Sequence, residues 1–280
     1  MKVRTNPMTM KNLQLKRKKT KSDRLAVLAA VALVAPSLVS CSGFPGGEEP
    51  AGSQYKSKEW QAQSDWWESQ EDGDFLVYVR RFDKAEDVLK VAVARAEKFG
   101  KGDPRLARSM RSLARVYLER NEYDKAAELL ESSLAIKERA VGRSSSEVAD
   151  IKTDLALAYA FQGKPEEARK QADEALAVRR LYDNKLDMAE TTYVEAILLA
   201  QAGDRAGAEK NYDMVIKTFS EQMKSSDSVP STALINKLRS ALMSEVDILK
   251  EMGKTDKSKQ RKEQYDHVQL WLATLGETGT

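Results

Sequence analysis

Apolar residues recur along this chain at steps of three and four, the stripe of a helix buried on one side. Leu106, Met110, Leu113 and Tyr117 form one stripe, and Ala126, Leu129, Leu130 and Leu134 form a second just after it. Asn121 separates them, and Gly163 stands at the equivalent point of the next pair. Both residue types tolerate the left-handed conformation that ends a helix. The unit is therefore a helical hairpin, and it repeats. Leu113, Ala114, Tyr117, Ala126 and Leu134 return as Leu155, Ala156, Tyr159, Ala168 and Leu176, all 42 residues later. A third copy, offset by 40, places Ala196, Leu199, Gly203, Ala208 and Ile216 at the matching points. Phe82, Ala85, Leu89 and Val93 read as the second half of an earlier, worn copy, and Ile235 through Gly253 to Leu270 as a weaker last one. Alanines 114, 126, 156, 168 and 175 allow paired helices to approach closely, while Tyr117 and Tyr159 fill the space beside those contacts. Alternating strand patterns with hairpin-turn dipeptides are absent. The expected fold is all-α over residues 58–280, with best repeats at about 107–140, 149–182 and 189–220. An ordinary helical bundle is the alternative, which the repeat spacing disfavours.

Ala114, Tyr117, Tyr123, Ala126 and Leu134, with Ala156, Tyr159, Gly163, Ala168, Ala175 and Leu176, resemble the tetratricopeptide repeat. The longer period is similar to the subclass found in kinesin light chains. Pro165 and Glu195 depart from the pattern, standing where an aromatic and a leucine are usual. The resemblance implies a right-handed superhelix of four to five hairpins. It also implies that the first helix of each hairpin lines a concave groove for peptides or helices.

The amino-terminus has a different texture. Lys16, Arg17, Lys18, Lys19, Lys21 and Arg24 precede an apolar run from Leu25 to Leu38, too short and too interrupted by Pro36 to span a bilayer comfortably. Leu38-Val39-Ser40-Cys41 then resembles the lipobox of bacterial lipoproteins. The resemblance implies cleavage before Cys41, a thioether-linked lipid on its sulfur and acylation of its new amino group. Residues 1–40 read as signal peptide and 41–57 as the lipidated cysteine with a Gly-, Pro- and Ser-rich tether. A tether of this composition would reach roughly 20–24 Å. The alternatives are a signal peptide with a coincidental cysteine, or an uncleaved amino-terminal anchor. The expected location is outside the cytoplasm, at the outer membrane or the outer face of the plasma membrane.

Cleavage changes the charge argument. The full chain of 280 residues carries +3, but residues 1–40 hold nine of its 46 basic residues and one of its 43 acids. The remainder has 37 basic against 42 acidic residues, a net of −5, which gives no electrostatic case for nucleic-acid binding. Cys41 is the one cysteine and His267 the one histidine, so neither thiolate chemistry nor a histidine-based zinc site is expected. No Gly-rich phosphate loop opens a helix. Acid pairs such as Glu166-Glu167 and Glu128/Glu131 read as solvated helix-face partners of nearby lysines and arginines. The chain is expected not to be an enzyme and to need no cofactor beyond the lipid on Cys41.

Binding is the better lead. On the repeat template, Arg108, Arg111 and Arg115 share one helix face toward the groove. The next hairpin offers Asp150, Thr153, Leu157 and Phe161, and the third Glu190, Tyr193 and Ile197. The groove is expected to grade from basic to apolar-aromatic along the repeats, to suit a partner segment acidic at one end and apolar at the other. The alternative for the arginines is a wet helix face neutralised by Glu119 and Glu122. The arrangement also departs from the carboxylate clamp of chaperone-tail binders, which has asparagine where Arg115 and Leu157 stand. Trp60, Trp66 and Trp67, and at the other end Leu270, Trp271 and Leu275, are expected to cap the open ends of the array, with a docking patch the alternative for the tryptophans. The function expected is a non-catalytic, membrane-anchored protein-binding adaptor or assembly factor of the cell envelope. A lipoprotein that binds a small molecule or glycan for a transporter or the wall is the alternative.

Overall fold

The computed structural model describes residues 58–225 and 232–276. The chain divides into two units, Met1–Tyr55 and Lys56–Thr280. The signal peptide, Cys41 and the tether lie outside the described residues, as do the side chains of Trp271 and Leu275. Ten helices are described: α1 (Lys58–Tyr78), α2 (Phe82–Glu97), α3 (Pro104–Glu119), α4 (Tyr123–Val141), α5 (Ser146–Phe161), α6 (Pro165–Tyr182), α7 (Lys185–Gln201), α8 (Arg205–Ser225), α9 (Thr232–Glu251) and α10 (Thr255–Gly276). Each packs on its neighbours in sequence, giving five hairpins, and α3 and α5 each touch the odd-numbered helix before and after them.

All five hairpins turn in the same way. Arg80, Asn121, Gly163, Gly203 and Gly253 have φ of 60°, 61°, 74°, 82° and 71°. In each turn the next residue's N–H reaches back five positions: Arg81 to Leu76 (2.9 Å), Glu122 to Tyr117 (2.8 Å), Lys164 to Tyr159 (3.0 Å), Asp204 to Leu199 (2.9 Å) and Lys254 to Leu249 (2.9 Å). This is the Schellman closure, which satisfies carbonyls that the helix end leaves orphaned. The second helix then starts at once. Pro165 sits at the first position of α6, where its missing N–H costs nothing and its φ is already helical. That accounts for its departure from the repeat pattern. Helices α3, α5 and α7 start on capping side chains instead. Asp103 accepts from Arg105 N–H, Ser145 from Val148, and Asn184 from Leu186 and Asp187.

The expected alanine contacts are present: Ala114, Ala126, Ala156, Ala168 and Ala175 are fully buried. Tyr117 is buried beside them and donates its hydroxyl to Glu86 (3.1 Å). Tyr159 donates to Glu131 (2.8 Å); burial together with that carboxylate pushes its phenol up to about 12. Ala85 and Leu89 of the worn first copy are fully buried against the hairpin that follows. Glu195, the other departure, is half-buried on α7. Burial, then Asp173, raises its carboxyl against the pull of Arg180 and Arg169.

The ends differ from expectation. Trp66 is buried against Ala96, Leu106 and Ala107, and its indole donates to Ser109 Oγ at 2.9 Å. It is a joint between α1 and α3. Trp67 is 41% exposed and lies edge-on to Trp66 at 5.9 Å, so the tryptophans do not form one cap. Leu270 is 66% exposed, while Tyr265 and Val268 of the same helix pack against the core formed by α7, α8 and α9. No described helix is long and apolar enough to cross a membrane.

Candidate functional site

A concavity of about 700 Å³ is lined by side chains from all five odd-numbered helices. Arg108, Arg111, Arg115, Leu157, Phe161 and Tyr193 line it as the repeat template predicts, with Asp150, Thr153 and Glu190. Ile197 does not. It is buried with Ala156, Ala160, Ala168 and Ala172, because those small side chains leave room for the second half of α7 to lean onto the α5–α6 hairpin. The sequence reading missed Val77, Tyr78 and Phe82 from the first hairpin and Lys237 and Arg239 from α9. Those hairpins match the repeat least well, and the positive-φ turn at Gly253 was the available signal for the last one.

The charge pattern is also different. Arg108 pairs with Glu71 (2.7 Å) and Asp74 (3.2 Å) of α1, and its guanidinium lies 5.0 Å from the Trp67 ring centre. Arg111 pairs with Asp154 (2.7 Å) and Asp150 (3.2 Å) of α5. Two of the three arginines thus clamp neighbouring hairpins together. Glu119 and Glu122 neutralise neither: Glu119 pairs with Arg80 (3.0 Å), and Glu122 with Arg120 (3.0 Å) and Lys125 (2.5 Å). The same stitching continues through Thr153 and Thr191, whose hydroxyls meet at 2.9 Å, and through Lys237 paired with Glu190. Arg179 comes through from α6. It is 2% exposed and pairs with Asp150 (2.9 Å) while donating to the Asp187 carbonyl.

Apolar residues gather elsewhere in the groove. Arg108, Arg111, Asp150, Asp154, Asp187 and Glu190 lie in the amino-terminal or middle parts of their helices, whereas Asp74, Arg115 and Glu119 lie late in theirs. Val77, Tyr78, Leu118, Leu157 and Phe161 lie toward the carboxy-terminal ends. Phe161 is 45% exposed and stacks on Tyr123 at 4.8 Å; Tyr193 meets Tyr212 edge-on at 6.0 Å. In place of the basic-to-apolar gradient expected from repeat to repeat, the lining runs from charged to apolar along the axes of α5 and α7. The early carboxylates of α5 are the ones that reach the neighbouring hairpin, at Arg111.

Burial raises the Asp154 carboxyl, but Arg111, with Arg115 behind it, outweighs this and holds it below its ordinary 3.8. Burial raises Asp150, and nearby Asp154 and Asp187 keep it raised against Arg111 and Arg179. A depressed carboxyl stabilises the fold above its unfolded-state value and loses that contribution as pH falls through its folded value. Asp154→Asn is thus expected to lower the melting temperature at pH 7, with the deficit shrinking as pH falls below 3.8. Melting curves of both proteins from pH 7 to pH 2.5 check this; a deficit that stays constant or grows toward acid would contradict it.

One acidic group outside the groove has metal-ligand spacing, Glu209, Asp213 and Glu245. Its charges are met from α10. Lys257 lies 2.7, 2.6 and 3.1 Å from the three carboxylates, and Arg261 pairs with Asp213 and, at 2.7 Å, with buried Glu245. These groups fasten α10 onto α8 and α9, with cations of the chain itself in the position a metal would take.

Five hairpins closing on identical turns around a shared concave wall define a helical-repeat array. The tetratricopeptide repeat family model matches residues 73–139 and 147–221, and the chain belongs to that family. Among solved structures it is similar to BtubC (BKLC) from P. vanneervenii, with 20% identity over 76% of this chain and 90% of that one and a TM-score of 0.53. A kinesin-light-chain-type protein from Podosopora anserina with nearly identical tetratricopeptide-like repeats gives 19% identity, 74% and 95% coverage and a TM-score of 0.51. The Rap protein complexed with competence and sporulation factor gives 16% identity and a TM-score of 0.63, over 75% of this chain and 56% of that one. At these identities the likeness is one of fold. A search of curated protein sequences found no match.

Proposed function

We propose that the chain is a non-catalytic protein-binding adaptor, held at a bacterial membrane by lipid on Cys41, that takes a partner segment into its concave groove. The observation that carries the reading is the groove itself. Its wall is built from all five hairpins, and it keeps the aromatic side chains of Tyr78 and Phe161 43% and 45% exposed. Exposed aromatic groups in a concave, partly charged surface are the usual anchors of protein recognition. The family membership and the likeness to the Rap protein, solved with a bound factor, support the same reading. The basic, apolar and Leu-Val-Ser-Cys order of residues 16–41 supports the anchor, and more than one acyl chain is what firm attachment requires.

Crosslinking in native membranes tests both parts. Wild-type protein is expected in the membrane fraction joined to a discrete partner. Cys41→Ala is expected to leave that fraction. Tyr78→Ser/Phe161→Ser is expected to stay in it and lose the partner. A Cys41→Ala protein that remains membrane-bound would contradict the lipid anchor, and a partner retained by the double variant would contradict the groove.

A further inference from the structure

The cations of the groove are not equivalent. Twelve charged residues line it, six acidic and six basic. Arg80, Arg108, Arg111 and Lys237 are each committed to carboxylates of the protein. An incoming anion would have to displace those partners and would gain little over them. Arg115 of α3 and Arg239 of α9 are the exceptions: among the described residues neither forms an ion pair. Arg115 is exposed and Arg239 half-buried. Arg115 acts on Asp154 only through space, since that carboxylate is already bonded to Arg111.

From this we infer that Arg115 and Arg239 form the anion-reading part of the groove. The partner segment they fit carries a carboxylate side chain within about two residues of an aromatic or branched apolar one. The inference rests on the groove reading above. The two arginines come from the second and fifth hairpins and line the same concavity. Arg108 and Arg111, which share a helix face with Arg115, take no part in reading the carboxylate. Leu118 follows Arg115 by three residues, about 4.5 Å along α3, and Tyr78, Phe82 and Phe161 line the same apolar side. An extended chain advances about 3.3 Å per residue, so its acid and its apolar anchor fall one or two positions apart. Guanidinium groups suit this role, since each offers a planar fork of donors to a carboxylate.

The test is selection of twelve-residue random peptides displayed on phage against the immobilised full-length protein in detergent. Binding of the enriched sequences is then measured for wild type, Arg115→Gln/Arg239→Gln, Tyr78→Ser/Phe161→Ser and the control Lys170→Gln, which lies on α6 outside the groove lining. The expected result is a consensus with an acid within two residues of an apolar position. Its affinity should fall about tenfold or more in the arginine variant, weaken with added salt, and hold in Lys170→Gln. Because neither arginine holds an ion pair, the arginine variant should melt close to wild type, short only of the through-space support Arg115 gives Asp154. Peptides without acids, or acidic ones indifferent to the arginine change, would overturn the inference. If those peptides still depended on Tyr78 and Phe161, the groove reading would stand. Peptides indifferent to both pairs, or no enrichment, would count against the groove reading as well.

Discussion

Arg179→Ala is expected to destabilise the repeat domain by about 2–3 kcal/mol, somewhat less than the roughly 3–5 kcal/mol of breaking a fully buried ion pair. Arg179 is 2% exposed, and its partner Asp150 is 30% exposed, so some of the loss is recovered by water on the aspartate side. The guanidinium does two things at once. It neutralises Asp150, which burial and two neighbouring carboxylates already disfavour as an anion, and it satisfies the backbone carbonyl of Asp187 at the start of α7. Its removal leaves Asp150 to Arg111 alone and the carbonyl without that donor. Because Arg179 sits where the α5–α6 hairpin meets α7, a second effect is expected. In an array stabilised by nearest-neighbour contacts, weakening a central interface uncouples the two ends. Urea unfolding should therefore show a lower midpoint and a broader transition. Asp150→Ala combined with Arg179→Ala is expected to cost less than the two separate losses together, since no charge is left behind. Strict additivity, or a midpoint unchanged by Arg179→Ala, would contradict the role assigned to this residue.

The second large effect is expected at Gly73, which is buried on α1. A Cβ there would stand 2.4 Å from Cδ2 and 2.6 Å from Cγ of Leu89. Leu89 is itself fully buried on α2 and has no free space to turn into. Gly73→Val should cost about 2–3 kcal/mol, in the range for overpacking a well-filled core. Leu89→Ala alone should cost about 2–5 kcal/mol through the cavity it leaves. The informative variant is Gly73→Ala/Leu89→Ala. The added methyl enters the space that the leucine vacated, so this double variant should be more stable than Leu89→Ala. Chemical denaturation of the three proteins settles the point. A double variant less stable than Leu89→Ala would show that the helices are not held apart by this contact.

Gly73 also marks the limit of what the sequence made legible. The repeat itself was readable, because Asn121 and Gly163 announce helix ends and Ala114, Ala126, Ala156 and Ala168 recur at a fixed offset. Those features are local, and backbone geometry dictates them. The fate of each charge was not readable. Arg108 finds Glu71 at a separation of 37 residues, and Arg111 finds Asp154 at 43. These are contacts between successive hairpins whose register no single helix reveals. The nearer acids, Glu119 and Glu122, looked suitable by spacing, yet the turns direct them to Arg80, Arg120 and Lys125. Trp66 and Trp67 are adjacent in sequence, but helical geometry sends one under Ser109 and the other toward Arg108. The groove's far wall was hidden for a related reason. The positive-φ turn at Gly253 follows the one at Gly203 by 50 residues rather than about 42, so α9, with Lys237 and Arg239, falls out of step with the repeat.

The most direct measurement of the central claim is a scan with a photo-activated phenylalanine analogue placed singly at Tyr78, Phe161, Lys170 and Glu174 in the full-length protein in native membranes. The first two positions face the groove, and the last two lie on α6. Adducts of one discrete partner from Tyr78 and Phe161, with none from α6, are the result the groove account predicts. Adducts from Lys170 or Glu174 while the groove positions stay silent would contradict it and move the interface to the outer face of the array.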